Sequence, residues 1–167
     1  VLSKAPYPAD PKIRKLLDPV GLRLLRELQH DGRASLSDLG QRVGLSAPAV
    51  AERLKRLEES GVVRGYRADI DLKRMGVSAQ AFVRLTVPMD CQLEQVTAAL
   101  DEWPEVLECH RVTGSECYLI RLGLGVVEDL DALLDRLRRF GRTETSVVLS
   151  SPIERRLVSA PIRSSRS

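Results

Sequence analysis

Cysteine, histidine and long apolar runs are all scarce in this 167-residue chain. Its three cysteines, Cys91, Cys109 and Cys117, cannot pair completely, and no CxxC spacing or His-rich cluster accompanies them. Neither a disulfide framework nor a Cys/His zinc site is expected. The two histidines, His30 and His110, have no Ser or Cys nucleophile and no clustered carboxylates at motif spacing, which leaves acid–base catalysis without support. No apolar run approaches the ~20 residues of a membrane-spanning helix, and the first residues form no secretory h-region. At 43% hydrophobic and 29% charged the chain has the composition of a soluble globular protein. The expectation is a reduced, cytoplasmic protein with no metal, no cofactor and no membrane partner.

What is present is an uneven charge. The formal total of +3 divides into +4 over residues 1–66, −4 over 67–151 and +3 over the last 16. A basic head on an acidic body suggests that the first part alone meets a polyanion, since phosphates are drawn to the one and repelled by the other.

Residues 1–17, with Pro6, Pro8 and Pro11, read as a flexible arm. Order is expected to begin at Asp18-Pro19, where Asp accepts the first free N–H groups of a helix and Pro fits its first position. Leu22, Leu25 and Leu28 give that helix an apolar face, widened by Leu24, before Asp31-Gly32 breaks it. Ser35 starts a second, short helix with Asp38 as its capping-box partner, and Gly44 stops it. Ser46 caps a third, with Pro48 in its first turn, Val50, Leu54 and Leu57 inward, and Gly61 at its end. Residues 62–72 then read as extended. From Ala81 onward strand and helix patterns alternate as β-α-β-β-α-β: 81–87, 93–103, 106–113, 117–124, 130–137 and 145–149. This is the ferredoxin-like order, with two helices on one face of an antiparallel sheet. The fold class is α+β: a winged helix-turn-helix over 18–66, a connector over 67–78, a ferredoxin-like domain over 79–151, and a basic tail over 152–167.

The junction between the second and third helices carries the sharper signal. Gly40 stands where the next helix must pass closely, Gly44 makes the turn, and Val50 is the buried anchor, as a helix-turn-helix requires. With Val50, Leu54 and Leu57 inward, Ser46, Ala47, Pro48, Ala49, Glu52, Arg53 and Arg56 fall on or beside the exposed side. Small residues at the start let such a helix enter the major groove, and Arg53 or Arg56 can reach guanine edges or phosphates. Glu52 can pair with Arg56 or accept from a cytosine amino group. Arg64, and Arg67 beyond it, can hold phosphates as a wing. The partner these residues imply is double-stranded DNA.

The stretch LQHDGRASLSDLGQRVGLSAPAVAERLKRLEESGVVRGYRADID resembles the winged helix-turn-helix of the Lrp/AsnC, or feast/famine, family. RVTGSECYLIR and TETSVVLSS resemble that family's effector-domain motifs, and the likeness spans residues 18–151. It implies a bacterial or archaeal, nucleoid-associated transcription regulator, homodimeric and assembled to tetramers or octamers, with a small amino acid as effector. It also implies an effector site at Thr113, Gly114, Ser115, Glu116 and Cys117, completed by Thr143, Thr145 and Ser146 where effector domains meet. Two departures stand out: Gly21 replaces a common acidic residue, and Cys117 takes the Asp position of the TGxxDY loop. A related architecture, that of sirohaem decarboxylases, is the alternative; it would need several His and Arg around one pocket, and His110-Arg111 is the only adjacent pair.

Overall fold

A computed structural model describes residues 10–88, 92–114 and 118–158. The chain divides into two compact units: the chain up to Ala68 together with the chain from Ile153 on, and Asp69–Pro152.

Among the described residues, four helices build the first unit. α1 (Pro11–Leu16) follows Asp10, whose carboxylate accepts the Lys12 N–H at 2.7 Å. α2 (Pro19–His30) starts the same way, with Asp18 accepting the Gly21 N–H at 2.7 Å. α3 (Leu36–Val43) is capped by Ser35, which accepts the Asp38 N–H at 3.1 Å and donates its hydroxyl to the Asp38 carboxylate at 2.6 Å. α4 (Ala47–Glu59) is capped by Ser46 through the Ala49 N–H. The starts expected at Asp18, Ser35 and Ser46 are all present. α1 falls within the stretch expected to be a flexible arm, yet Asp10-Pro11 repeats the signal of Asp18-Pro19, and Leu16 packs onto the core.

That core is Leu24, Leu39, Val43, Val50, Leu54 and Leu57. Leu24 is fully buried while Leu22, Leu25 and Leu28 are half-exposed, so the inward stripe of α2 centres on Leu24. The α3–α4 crossing depends on Gly40: a Cβ there would stand 2.4 Å from the Leu45 carbonyl oxygen. Gly44 turns the chain with φ 75°.

Between Gly61 and Ser78 no strand forms. Val62 and Val63 pack on the helical core, and residues 64–71 run exposed, with no partner strand among the described residues. Tyr66 is anchored by donating its hydroxyl to Glu58 at 2.8 Å, and burial together with that carboxylate pushes the phenol up to about 12. The chain from Ile153 also belongs here. The Gln29 side-chain amide donates to the Val158 carbonyl and accepts the Val158 N–H, each at 3.0 Å. The start of the basic tail is thus tied to α2.

The second unit holds β1 (Ala79–Thr86), α5 (Leu93–Asp101), β2 (Val106–Arg111), β3 (Tyr118–Leu124), α6 (Asp129–Arg138) and β4 (Arg142–Val147). The order β-α-β-β-α-β is as expected, and the antiparallel sheet runs β2-β3-β1-β4. Residues directly opposite one another share a face. Ala81, Val83 and Leu85 pair with Leu122, Ile120 and Tyr118, and all six are buried beneath α5 and α6 with Val96, Leu100, Leu133 and Leu137. By sequence, Ala81, Val83, Leu85, Leu119, Ile120 and Leu122 are more apolar residues than one face needs; of these only Leu119 lies on the open face. On α6, Arg136 stacks over the Trp103 ring at 3.8 Å.

Candidate functional site

The expected recognition surface lies on α4, whose Val50, Leu54 and Leu57 are buried as their spacing requires. Ser46, Pro48, Glu52 and Arg56 are exposed, whereas Ala47, Ala49 and Arg53 are half-buried on its flanks. The Ser46 hydroxyl is occupied in capping the helix. Arg56 donates to Glu52 at 2.8 Å, Lys55 lies 3.9 Å from Glu59, and Arg53 makes two parallel hydrogen bonds of 3.0 Å to the two oxygens of Asp18. The cations Arg53, Lys55 and Arg56 of α4 are therefore matched in number along the helix by Glu52, Glu58 and Glu59.

Arg53 acts as a brace. Its side chain is 31% exposed and that of Asp18 36%, and the pair joins the middle of α4 to the start of α2. Desolvation pushes the Asp18 carboxyl up, but the Arg53 guanidinium and the N–H groups of Gly21 and Val20 outweigh it and hold it below its ordinary value. Arg64 is exposed and makes no ion pair among the described residues.

In the second unit Thr113 and Gly114 are exposed at the β2–β3 turn, with Gly114 at φ 123°. Ser115, Glu116 and Cys117 lie outside the described residues. Arg111, Tyr118, Leu85 and Thr143 form one row across the sheet, so β3 and β1 separate the turn from β4. Thr143 and Thr145 pair with Leu85 and Val83 on the helix-covered face, while Ser146 pairs with Phe82 on the open one. One chain does not gather these residues into one site.

Beside the turn runs a shallow groove lined by Leu93, Glu94, Thr97, Asp101, Arg111 and Tyr118. The Tyr118 hydroxyl donates to the Leu93 carbonyl at 3.1 Å and fixes α5 against β3. Elsewhere, the open sheet face carries a polar chain. Arg121 donates to Gln80 at 2.8 and 3.0 Å and to Glu108 at 2.7 Å, and His110 lies 3.4 Å from Glu108. Desolvation raises the Glu108 carboxyl, but Arg121 and His110 prevail and lower it. Cys109 is exposed, and partial desolvation pushes its thiol up, away from thiolate reactivity. Among the described residues no group of three or more His, Cys, Asp or Glu could hold a metal ion, and no helix is long and apolar enough to cross a membrane.

A tight helix-turn-helix presenting small residues at the start of its second helix, joined to a βαββαβ sheet unit, defines the class: a two-unit DNA-binding regulator. Comparison with known proteins narrows it. Residues 17–58 match the AsnC-type helix-turn-helix domain and residues 80–158 the Lrp/AsnC ligand binding domain. The chain is 39% identical over 142 residues to the HTH-type transcriptional regulator LrpA of Mycobacterium tuberculosis, covering 83% of this chain and 94% of that one. It superposes on LrpC of B. subtilis with a TM-score of 0.78 at 27% identity, over 83% of this chain and 99% of that one. The feast or famine regulatory protein of M. tuberculosis complexed with L-methionine gives 0.76 at 36% identity, over 85% and 99%. This chain belongs to the Lrp/AsnC family of transcriptional regulators, and its helix-turn-helix is the DNA-binding element.

Sequence reasoning missed three contributors. Asp18 is legible as a cap but not as the partner of Arg53, a contact between residues 35 apart that no local pattern encodes. Gly21 looks like a loss of helix propensity, whereas a Cβ there would lie 1.8 Å from the Leu16 carbonyl oxygen. α1 escapes notice among the prolines of the arm, although Asp10-Pro11 announces it.

Proposed function

We propose that this regulator works as a homodimer that assembles further to tetramers or octamers in the cytoplasm, on the nucleoid, binds inverted half-sites, and alters its DNA binding or assembly in response to a small amino acid. The observation that carries the effector reading is the groove beside the Thr113–Gly114 turn. Arg111 offers a guanidinium for a carboxylate, while Glu94 and Asp101, two turns apart on α5, offer carboxylates for an ammonium group. That supplies the anionic partner missing at Cys117. The M. tuberculosis relative complexed with L-methionine supports the same ligand class.

The separation of the expected site residues supports assembly. Thr143, Thr145 and Ser146 stand two strands away from the turn, so a second copy is needed to bring equivalent hydroxyls to it. Inverted half-sites follow from presenting two copies of α4 by a two-fold axis.

Titration calorimetry of the full chain against the twenty amino acids tests the effector. Binding of one or more is expected, weakened at least tenfold by Arg111→Gln and abolished by Gly114→Thr, whose side chain opposes φ 123°. Heat from none of them, with both variants indistinguishable from the parent in DNA affinity, would leave the turn as a hairpin and nothing more.

A further inference from the structure

The balanced charge of α4 raises a question that the helix-turn-helix alone does not answer. Duplex DNA is held mainly through cations that displace condensed counterions from phosphates. Yet Arg53, Lys55 and Arg56 each face a carboxylate, and only exchange of those partners would free them. Unpaired cations beside α4, Arg64 among them, can add to the attraction without that exchange.

α1 is placed to supply such cations. Its sequence, PKIRKL, has three cations and no acid. Lys12 and Lys15 are exposed and make no ion pair among the described residues. The helix packs against α4, Leu16 reaches the core, and the chain just beyond it carries Asp18, which holds Arg53. The absence of a side chain at Gly21 lets the Leu16 carbonyl approach α2 closely, so the position of α1 is fixed by packing rather than left to a free arm. α1 also lies ahead of residues 17–58, the stretch that matches the family's helix-turn-helix.

We propose that α1 is a second DNA-contacting element, whose Lys12 and Lys15 hold backbone phosphates flanking the half-site that α4 reads. This rests on the DNA-binding role of α4 and assigns the sequence-independent part of the affinity to a different helix. Phosphate contacts position a protein without reading bases. Removing them should therefore weaken binding to all sequences alike.

The test is fluorescence anisotropy of the full chain with a labelled duplex of about 40 base pairs, selected by the parent protein, over a salt series. Lys12→Gln/Lys15→Gln should lower affinity at least tenfold. It should also reduce the slope of log K against log salt by about 0.9 for each phosphate no longer neutralised, with the order of preferred sequences unchanged. Lys12→Arg/Lys15→Arg should keep the parent slope, which separates charge loss from misfolding. Trimming the flanking base pairs should weaken the parent and leave the Gln variant unaffected. A Gln variant with the parent's slope and affinity would overturn the role of α1 while leaving that of α4 intact. A parent that binds no duplex at any salt would overturn the DNA reading itself.

Discussion

Gly21 shows how a missing side chain decides a local structure. Alanine there would favour α2 by about 1 kcal/mol through helix propensity, yet its Cβ would sit 1.8 Å from the Leu16 carbonyl oxygen, which is backbone and cannot swing away. Gly21→Ala is expected to lower the urea midpoint of unfolding; a midpoint at or above the parent's would mean that the α1–α2 elbow yields freely. The neighbouring Asp18 gives a pH signature. Its carboxyl titrates below its ordinary value in the folded chain, so its contribution is complete above the unfolded value near ~3.9 and is lost as pH falls through the folded one. Asp18→Asn keeps a capping oxygen but removes the charge that faces Arg53. At this exposure the loss should be at most about 1 kcal/mol near neutral pH and should vanish in acid. Equal destabilisation at pH 7 and pH 3 would contradict the pairing. At this scale the sequence was legible where function depends on neighbours in the chain, as at Ser35 and Ser46, and illegible where it depends on residues far apart, as between Asp18 and Arg53.

Helix starts were the most legible elements because a cap is written within four residues. Ser35 and Asp38 satisfy each other reciprocally, and Ser35→Ala should cost about 1 kcal/mol of stability, seen as a lower thermal midpoint; an unchanged midpoint would mean the α3 start is held by packing alone. Strand order was legible from period-two patterns between glycine and proline breaks. Which face each strand residue occupies was not, because β4 and the β2 edge carry polar residues on both sides. Register settled it: Thr143 and Thr145 turn toward the helices, Ser146 away. The extended reading of 62–72 also marks a limit, since β-rich composition predicts an extended chain but not the second strand that would make it a ladder.

At the scale of the molecule, the charge division of the sequence has a structural counterpart. The basic stretch and the basic tail fall in the helical unit, and the acidic stretch is the sheet unit. The open face of that sheet presents Phe82, 36% exposed, next to the Gln80–Arg121–Glu108 chain, and the proposed assembly is expected to cover it. Phe82→Lys should shift the chain toward monomer in light scattering at micromolar concentration while its helical signal is retained; an unchanged mass would place the interface elsewhere. The central claim, that α4 reads a duplex, is tested most directly by selecting preferred sequences with the parent and with Glu52→Ala/Arg56→Ala, then titrating both against the parent's best site at several salt concentrations. Affinity should fall linearly with salt on logarithmic axes, and the double variant should lose discrimination worth ~1–3 kcal/mol at the bases it no longer contacts. Binding that ignores salt, or a variant that selects the same sequences with the same discrimination, would contradict it.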